Sequence, residues 1–257
     1  MNKTVLITGA SGGIGYEFAH IFAEHKYNLV LVARNESRLL EIKEEISTKY
    51  GVNVNIFAKD LSVISGIDEI YNSLNNENIS INVLINNAGF GEFGFFKDID
   101  WTKEQQMINL NILALTYLTK LFMKDMISAG EGKILNLAST AAFQPGPLMA
   151  VYFATKAYVL SFSEAIANEL KGTGVTVTAL CPGPTESGFA KAASAQETKL
   201  FKNKRIPSSK EVALFGFNAL MKGKTVVIHG LLNKIMAFSI RLTPRKLVTM
   251  IVRMMSE

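Results

Sequence analysis

Short apolar runs alternate with longer amphipathic segments along most of this chain. Seven runs rich in Val, Ile and Leu are each followed closely by glycine, proline, asparagine, serine or charge, which is typical of buried strands. These strands are predicted at Thr4–Thr8, Asn28–Ala33, Val52–Ala58, Ile81–Ile85, Lys133–Leu137, Val175–Leu180 and Thr225–Ile228. Because strands alternate with helices, the pattern predicts one α/β domain with a doubly wound, seven-stranded parallel sheet and helices on both faces.

The segments between the strands have helical periodicity. Helices are predicted at Tyr16–Lys26, Glu36–Lys49, from about Ser62, and at Trp101–Ile127, Ala157–Leu170 and Ser208–Met221. The stretch Phe189–Pro207 is polar and lysine-rich with little periodicity, and we predict that it forms a mobile lid.

Composition narrows the classes of protein that this chain can belong to. With 257 residues, 48% of them hydrophobic, the chain can bury the core of one domain. The single cysteine, Cys181, excludes an internal disulfide and favours a reducing, cytoplasmic setting. We expect no signal peptide and no transmembrane span, and the net charge of +5 is too small to predict nucleic-acid binding.

A glycine-rich segment, TGASGGIG at residues 8–15, joins the first strand to the first helix. A strand, a glycine turn and a helix start are the context of a phosphate-binding loop. Gly9 permits the tight turn, Gly13 lets the backbone approach a pyrophosphate, and Gly15 lets the helix pack closely on the strand. We therefore predict a dinucleotide site whose contacts are Gly9, Ser11, Gly13, Ile14 and Gly15.

The residue after the second strand predicts which dinucleotide binds. An acidic side chain there would accept a hydrogen bond from the ribose of NAD, but Ala33 is followed by Arg34. A guanidinium matches a 2′-phosphate, and Arg38 can assist from the next helix. We predict NADP(H), although a solvated cation at a strand end is the ordinary alternative for Arg34.

Three later strands also end in candidate cofactor contacts. Asp60 and Leu61 follow the third strand, where the carboxylate can reach an adenine amino group, cap the next helix, or do both. The fourth strand runs into Asn86, Asn87, Ala88 and Gly89. The small residues of this segment let a cofactor lie against the backbone. The sixth strand leads to a turn containing Pro182, Gly183, Thr185 and Ser187.

Tyr152 and Lys156 have i,i+4 spacing ahead of a long helical pattern, which places them on one helix face. A nearby ammonium can lower the pKa of a phenol and so make an acid/base catalyst. The spacing alone is a weak signal, because tyrosine and lysine are common on helix surfaces.

In chain order these motifs resemble the short-chain dehydrogenase/reductase family, from roughly Lys3 to Ile228. The resemblance implies a Rossmann fold, hydride transfer between nicotinamide and a carbonyl or alcohol carbon, and four catalytic residues. These are Asn111, Ser139, Tyr152 and Lys156, with Asn109 as an alternative to Asn111. The family carries a threonine five residues after the turn proline. Here that place holds Ser187, with Thr185 two residues earlier, so either hydroxyl can hold the nicotinamide carboxamide.

The stretch Leu231–Met255 carries five cations and no acid, and Pro244 divides it into two segments. Such a basic amphipathic pattern fits an anionic membrane surface, a cap over the pocket or a homodimer interface. We assign residues 1–230, including a lid at about 189–207, to the dinucleotide-binding catalytic domain. We expect residues 231–257 to form a tail packed on it.

The sequence therefore predicts an NADP(H)-dependent carbonyl reductase or alcohol dehydrogenase without a metal. A phenylalanine-rich loop, Phe90–Phe96, favours a hydrophobic small-molecule substrate. The alternatives are a non-catalytic NADP-binding sensor or scaffold and a membrane-surface interaction protein. The intact set of Ser139, Tyr152 and Lys156 favours the enzyme. We expect a cytoplasmic homodimer or homotetramer with possible peripheral membrane contact.

Overall fold

The computed structural model describes residues 3–189, 193 and 206–256. Its strands are β1 Thr4–Thr8, β2 Asn28–Ala33, β3 Val54–Ala58, β4 Val83–Asn86, β5 Gly132–Leu137, β6 Val175–Cys181 and β7 Val226–Ile228. They form one sheet in the order β3-β2-β1-β4-β5-β6-β7, and each neighbouring pair is parallel. The predicted doubly wound, seven-stranded parallel sheet is confirmed.

Helices cover both faces of this sheet. They are α1 Gly13–Glu24, α2 Glu36–Tyr50, α3 Ile64–Asn76, α4 Trp101–Ile108, α5 Leu115–Ala129, α6 Ala150–Glu169, α7 Ser209–Met221, α8 Leu231–Ser239 and α9 Arg245–Ser256. Residues 190–192 and 194–205, most of the predicted lid, lie outside the described residues. Within the described part of the chain, no helix is both long and apolar enough to cross a membrane.

Alternate residues of the central strands supply two separate cores. Val5 and Ile7 of β1 pack towards α1, α2 and α7, whereas Leu6 between them packs towards α3, α5 and α6. Because successive side chains of a strand point to opposite faces, a strand covered on both sides carries apolar residues in succession. All five residues of β1 are buried, and Val5, Leu6 and Ile7 form a continuous apolar run between Thr4 and Thr8.

The predicted single helix Trp101–Ile127 is wrong in its middle. Residues Asn109–Ala114 form a π-helical segment between α4 and α5. A π segment adds a residue to a helical turn and rotates the side chains that follow it. The apolar periodicity of the sequence does not reveal this insertion, because the segments on both sides keep an ordinary helical pattern.

A buried ladder of amides and hydroxyls ties the second half of the sheet to its helices. The Asn86 Nδ2 donates to Thr119 Oγ1 and to Asn136 Oδ1, both at 2.9 Å. Asn136 in turn donates to Ser163 Oγ at 2.9 Å, on α6. The ladder fixes β4, β5, α5 and α6 against one another, and so fixes the loops that leave the carboxyl ends of the two strands.

Candidate active site

A cavity of about 450 Å³ opens at the carboxyl ends of the strands. It lies where the strand order reverses, between β1 and β4, the position at which open α/β sheets bind ligands. The structure brings most of the predicted site residues to its wall. They are Gly9, Ser11, Gly13, Ile14, Arg34, Asp60, Leu61, Asn87, Ala88, Gly89, Ser139, Tyr152, Lys156, Pro182, Gly183, Thr185 and Ser187. Gly15, Arg38 and Asn111 are not part of this lining.

The glycine turn presents bare backbone to one end of the cavity. Gly9 and Gly13 have φ of +65° and +54°, in the left-handed region that favours glycine. A Cβ on Gly15 would lie 2.3 Å from the Gly9 carbonyl oxygen, so Gly15 acts in packing and does not need to face the cavity. The α1 helix begins at Gly13, and no side chain caps its first turn. Its free N–H groups and helix dipole therefore suit a phosphate.

The turn is held in place by Thr8 and Asn87. The Thr8 hydroxyl accepts hydrogen bonds from the backbone N–H groups of Asn87 and Ala88, at 3.0 and 2.9 Å. The Asn87 amide donates to the carbonyls of Thr8 and Gly9, at 2.9 and 3.2 Å. These bonds join the ends of β1 and β4 across the point where a ligand would lie. Thr8 was not among the predicted site residues, although a threonine directly before the glycine turn is a visible signal.

The two arginines proposed for phosphate recognition differ in position. Arg34 is exposed at the end of β2 and lines the cavity. The Arg38 guanidinium donates to Glu41 Oε2 at 2.7 Å and lies 5.5 Å from the centroid of the Tyr16 ring. Arg38 is thus engaged on the outer surface of α1 and α2, whereas Arg34 faces the cavity.

Asp60 lines the cavity and also organises the chain ahead of α3. Its Oδ1 accepts a hydrogen bond from the Ser62 N–H at 2.9 Å, while α3 itself begins at Ile64. The helix start expected near Ser62 is therefore two residues early. Asp60 therefore forms a turn with Ser62 and does not cap α3, whose N-cap is Val63 without a side-chain hydrogen bond, so the predicted cap is wrong. The contact of Asp60 with an adenine stays a prediction.

Ser139, Tyr152 and Lys156 meet at the opposite end of the cavity. Tyr152 and Lys156 are buried on successive turns of α6, with the Lys156 Nζ 5.8 Å from the centroid of the Tyr152 ring. Lys156 Nζ donates to the Leu137 carbonyl at 2.6 Å. Ser139 follows β5; its Oγ accepts from Ala141 N at 3.1 Å and donates to the Pro182 carbonyl at 3.5 Å. Its hydroxyl also acts on Tyr152, where it lowers the pKa of the phenol. Three groups able to donate or accept protons thus share one partly apolar space.

Burial dominates the electrostatics of this end. It raises the pKa of Tyr152 to about 12, against the lowering effect of the hydrogen bond from Ser139. It lowers the pKa of Lys156 to about 8. The spacing of Tyr152 and Lys156 predicts that the lysine charge lowers the pKa of the phenol. Removal of both groups from water disfavours their charged forms, and this effect is larger. Burial also raises the pKa of Cys181 to about 12, so this thiol is an inert buried group.

Asn111 lies in the π segment and is bonded on both sides of its amide. Its Nδ2 donates to the Phe90 carbonyl at 2.9 Å and to Thr155 Oγ1 at 3.1 Å, and its Oδ1 accepts from Phe90 N at 3.2 Å. A Cβ built on Gly89 would lie 2.9 Å from Asn111 Oδ1 and 3.6 Å from Lys156 Nζ. Asn111 therefore connects the loop after β4 to the helix that carries Tyr152 and Lys156.

Both hydroxyls proposed for the carboxamide reach the cavity. Thr185 is buried and donates to the Gly183 carbonyl at 3.0 Å. Ser187 Oγ accepts from Phe189 N at 3.3 Å, and its Cβ lies 3.2 Å from the position of a Cβ on Gly13. The turn after β6 therefore closes over the glycine turn.

The wall beside Tyr152 is apolar. Phe90, Met149, Phe153 and Phe189 line this part of the cavity, and the Phe189 ring centroid lies 5.1 Å from that of Tyr152. Of the predicted phenylalanine-rich wall, Phe90 faces the cavity, whereas Phe95 and Phe96 are exposed. Met149 and Phe153 were not identified from the sequence, because nothing local distinguishes them from ordinary core residues.

Comparison with known proteins identifies relatives of this architecture. A family model described as short chain dehydrogenase matches residues 3–198. The very-long-chain 3-oxoacyl-CoA reductase of Rattus norvegicus is 32% identical over 189 residues, which cover 71% of this chain and 59% of the rat protein. This chain thus matches less than two thirds of that relative's length.

Two other relatives are matched over nearly their whole length. An uncharacterised oxidoreductase of Staphylococcus epidermidis is 30% identical over 212 residues, covering 82% of this chain and 90% of that protein. A solved short-chain dehydrogenase from Sphingobium yanoikuyae, in complex with NADPH, is similar with a TM-score of 0.84 and 30% identity. This similarity covers 93% of this chain and 94% of the other.

Proposed function

Because this chain belongs to the short-chain dehydrogenase family, we propose that it is an NADP(H)-dependent oxidoreductase that interconverts a carbonyl and an alcohol. One observation carries the proposal: a single cavity has a bare glycine turn at one end and Ser139, Tyr152 and Lys156 at the other. The first end suits a phosphate and the second suits proton transfer, so the cavity can hold a dinucleotide between them.

The residues present fit such a cofactor. The uncapped first turn of α1 and the glycines of residues 9–15 would hold the pyrophosphate, since a side chain at Gly9 would collide with Asn87 and Ala88. Thr185 or Ser187 would hold the carboxamide. When bound, the nicotinamide nucleotide supplies or accepts the hydride.

Tyr152 serves as the proton donor to the oxygen of a carbonyl substrate. With its pKa raised to about 12, the phenol keeps its proton at neutral pH and can release it as negative charge develops on the substrate oxygen. When a substrate is bound, the Ser139 hydroxyl would turn its one proton from its present acceptor to the same substrate oxygen and stabilise that charge.

Lys156 stabilises the phenolate that forms once the proton has left Tyr152. Its Nζ lies near the phenol ring in a buried setting, where attraction between opposite charges is stronger than in water. Asn111 positions this apparatus by bonding the loop after β4 to Thr155, one residue before Lys156.

Preference for NADP(H) rests on Arg34. Its place after β2 is exposed and borders the cavity, and the chain supplies no acidic side chain there. A guanidinium at this position can pair with a 2′-phosphate, whereas a carboxylate would repel it. The Sphingobium relative is described in complex with NADPH, which supports the same preference.

The substrate class follows from the wall beside Tyr152. Phe90, Met149, Phe153 and Phe189 offer a mainly apolar surface. A hydrophobic ketone or 3-oxoacyl compound would bury its chain against this surface and place its carbonyl near Ser139 and Tyr152. The rat relative is named for a 3-oxoacyl substrate with a very long chain, which is consistent with an apolar pocket.

The proposal is tested by following NADPH oxidation with the purified chain. Matched series of ketones, aldehydes and 3-oxoacyl thioesters should be supplied, each series increasing in chain length. We expect turnover of at least one series, with kcat/KM rising with chain length. If NADPH binds by titration calorimetry but no carbonyl is reduced in any series, the oxidoreductase proposal fails and a non-catalytic NADP-binding role replaces it.

A further inference from the structure

The last two helices have two apolar sides, of which only one packs on the protein. On α8, Ala237 is buried, and on α9, Val248 and Val252 are buried. A second set of large apolar side chains in this region is exposed, with Leu231 and Leu242 74% and 77% accessible. We call this set the C-terminal face: Leu231, Leu232, Ile235, Met236, Phe238, Leu242, Leu247, Met250, Ile251 and Met254.

Helix geometry collects these side chains into strips. At about 100° per residue, the exposed apolar residues of α9 fall within an arc of about 100°, well away from the arc of Val248 and Val252. Lys246 and Arg253 fall beside this exposed strip. On α8, the exposed strip likewise points away from Ala237, and Lys234 lies at its edge. An apolar strip bordered by cations is the pattern of a helix that lies in the plane of a membrane interface.

The charge of this region is mainly positive. Residues 231–257 contain Lys234, Arg241, Arg245, Lys246 and Arg253 and a single acid, Glu257, which lies outside the described residues. All five cations are exposed. The Arg253 guanidinium lies 5.7 Å from the ring centroid of Phe95, which itself is exposed on the loop after β4. The apolar strips thus lie within a field of positive charge.

This excess of positive charge favours one of two possible occupants of the face. In a symmetric dimer the same patch faces itself, so the cations of one copy would lie opposite those of the other and repel them. In a bilayer that contains anionic phospholipid, the apolar strips can insert among the acyl chains and the bordering cations can pair with the negative headgroups. We propose that the C-terminal face docks on an anionic phospholipid bilayer.

The docking surface adjoins the apolar end of the cavity. Val248 and Val252 belong to the same buried cluster as Met149, Tyr152 and Phe153. At the start of α8, Asn233 packs against Gly183 in the turn after β6. Docking would therefore hold the substrate end of the cavity close to the lipid. Delivery of a hydrophobic substrate from the bilayer rests on the proposed function, whereas docking itself does not.

The full chain is tested by sedimentation with two kinds of vesicle, one of pure phosphatidylcholine and one in which part of it is replaced by phosphatidylglycerol. We expect the chain to pellet with the anionic vesicles, to remain in solution with the neutral ones, and to be released by added salt. Failure to pellet with the anionic vesicles overturns the proposal, and so does equal pelleting with both kinds.

Two variants separate the contributions of charge and apolar contact. The first replaces Lys234, Arg241, Arg245 and Lys246 by Gln, and its control replaces the exposed Lys43, Lys124, Lys171 and Lys222 by Gln. Both variants lose the same charge, but only the first should bind anionic vesicles roughly tenfold or more weakly. Equal loss in the two variants would show attraction to net charge alone and would overturn the proposed surface.

The second variant replaces Leu232, Phe238 and Leu242 by Ser, and its control replaces the exposed Leu40, Val63 and Leu214 by Ser. Only the first should lose vesicle binding, and thermal melting should confirm that both variants fold. Size-exclusion chromatography of the same variants measures the oligomeric state. If the apolar variant converts a dimer to a monomer while vesicle binding is unchanged, the face is a subunit interface and the membrane proposal is wrong.

Discussion

At one end of the cavity the chain offers bare backbone, and at the other it offers buried polar side chains. The glycine turn depends on the absence of side chains, since a Cβ on Gly9 or Gly15 would collide with backbone or with Asn87. The other end depends on the side chains of Tyr152 and Lys156, whose charged forms are disfavoured by burial. Substitution at the first end should therefore damage folding and cofactor binding together. Substitution at the second should remove chemistry and leave the fold intact.

Tyr152→Phe gives the largest expected effect. The ring and its packing remain, but the proton donor is lost, so kcat should fall roughly a thousandfold or more, which corresponds to about 4 kcal/mol. NADPH affinity by titration calorimetry should change little. Tyr158→Phe is the matched control, because Tyr158 lies on the same helix with its hydroxyl 3.0 Å from Thr116 Oγ1. A Tyr152→Phe enzyme with near-normal turnover would contradict the assigned proton donor.

Gly15→Ala should give the next largest effect, on the free energy of unfolding. The new Cβ would lie 2.3 Å from the Gly9 carbonyl oxygen and 2.6 Å from Asn87 Nδ2, where neither neighbour can move freely. We expect a loss of about 3 kcal/mol or more, measured by urea unfolding, together with weaker NADPH binding. Gly12→Ala is the control, since Gly12 has no neighbour within 4 Å of a new Cβ. Equal stability of the two variants would show that the turn tolerates side chains.

Lys156→Met should act in the opposite direction on stability. Burial lowers the pKa of Lys156 from 10.5 to about 8, so at neutral pH the folded state carries a disfavoured charge that costs up to roughly 3 kcal/mol. Between pH 8 and 10.5 the unfolded chain binds this proton more than the folded chain does, so wild-type stability rises with pH in that window.

We therefore expect Lys156→Met to be more stable than the wild type at pH 7, and this advantage to shrink by pH 9.5. Urea unfolding of both proteins without cofactor measures it. An advantage that does not change with pH would mean that lysine burial does not cause it. The gain should come with loss of turnover, as expected where an active site stores unfavourable charge.

Arg34→Ala should give the smallest effect, on cofactor binding at the glycine-turn end of the cavity. If the guanidinium pairs with the 2′-phosphate, the KM for NADPH should rise roughly tenfold or more, while the KM for NADH stays nearly the same. Arg38→Ala is the control, because Arg38 is bonded to Glu41 and does not line the cavity. Equal losses for both cofactors in Arg34→Ala would remove the proposed phosphate contact.

The sequence predicted the lining of the glycine-turn end of the cavity more completely than that of the other end. A phosphate loop is local, so strand, glycines and helix start stand next to one another in the chain, and the strands β1 and β2 were placed correctly to the residue. The sequence did not predict the π segment at Asn109–Ala114, because a single inserted residue leaves the apolar pattern on either side of it unchanged. Met149 and Phe153 escaped for a related reason, since wall residues of a pocket have the same composition as core residues.

The sequence alone was enough to predict the alternation of strands and helices, the parallel sheet and the motif residues. Each of these is visible in the apolar periodicity or the glycine placement of a few neighbouring positions. Tertiary structure decided which of those residues share a cavity. It places Arg34 in the cavity wall, whereas Arg38 and Asn111 are not part of that wall. It also decided the pKa of Tyr152, which burial raises, whereas its spacing from Lys156 had predicted the reverse. Removal from water depends on every element that packs around a group, and no local pattern in the chain encodes that sum.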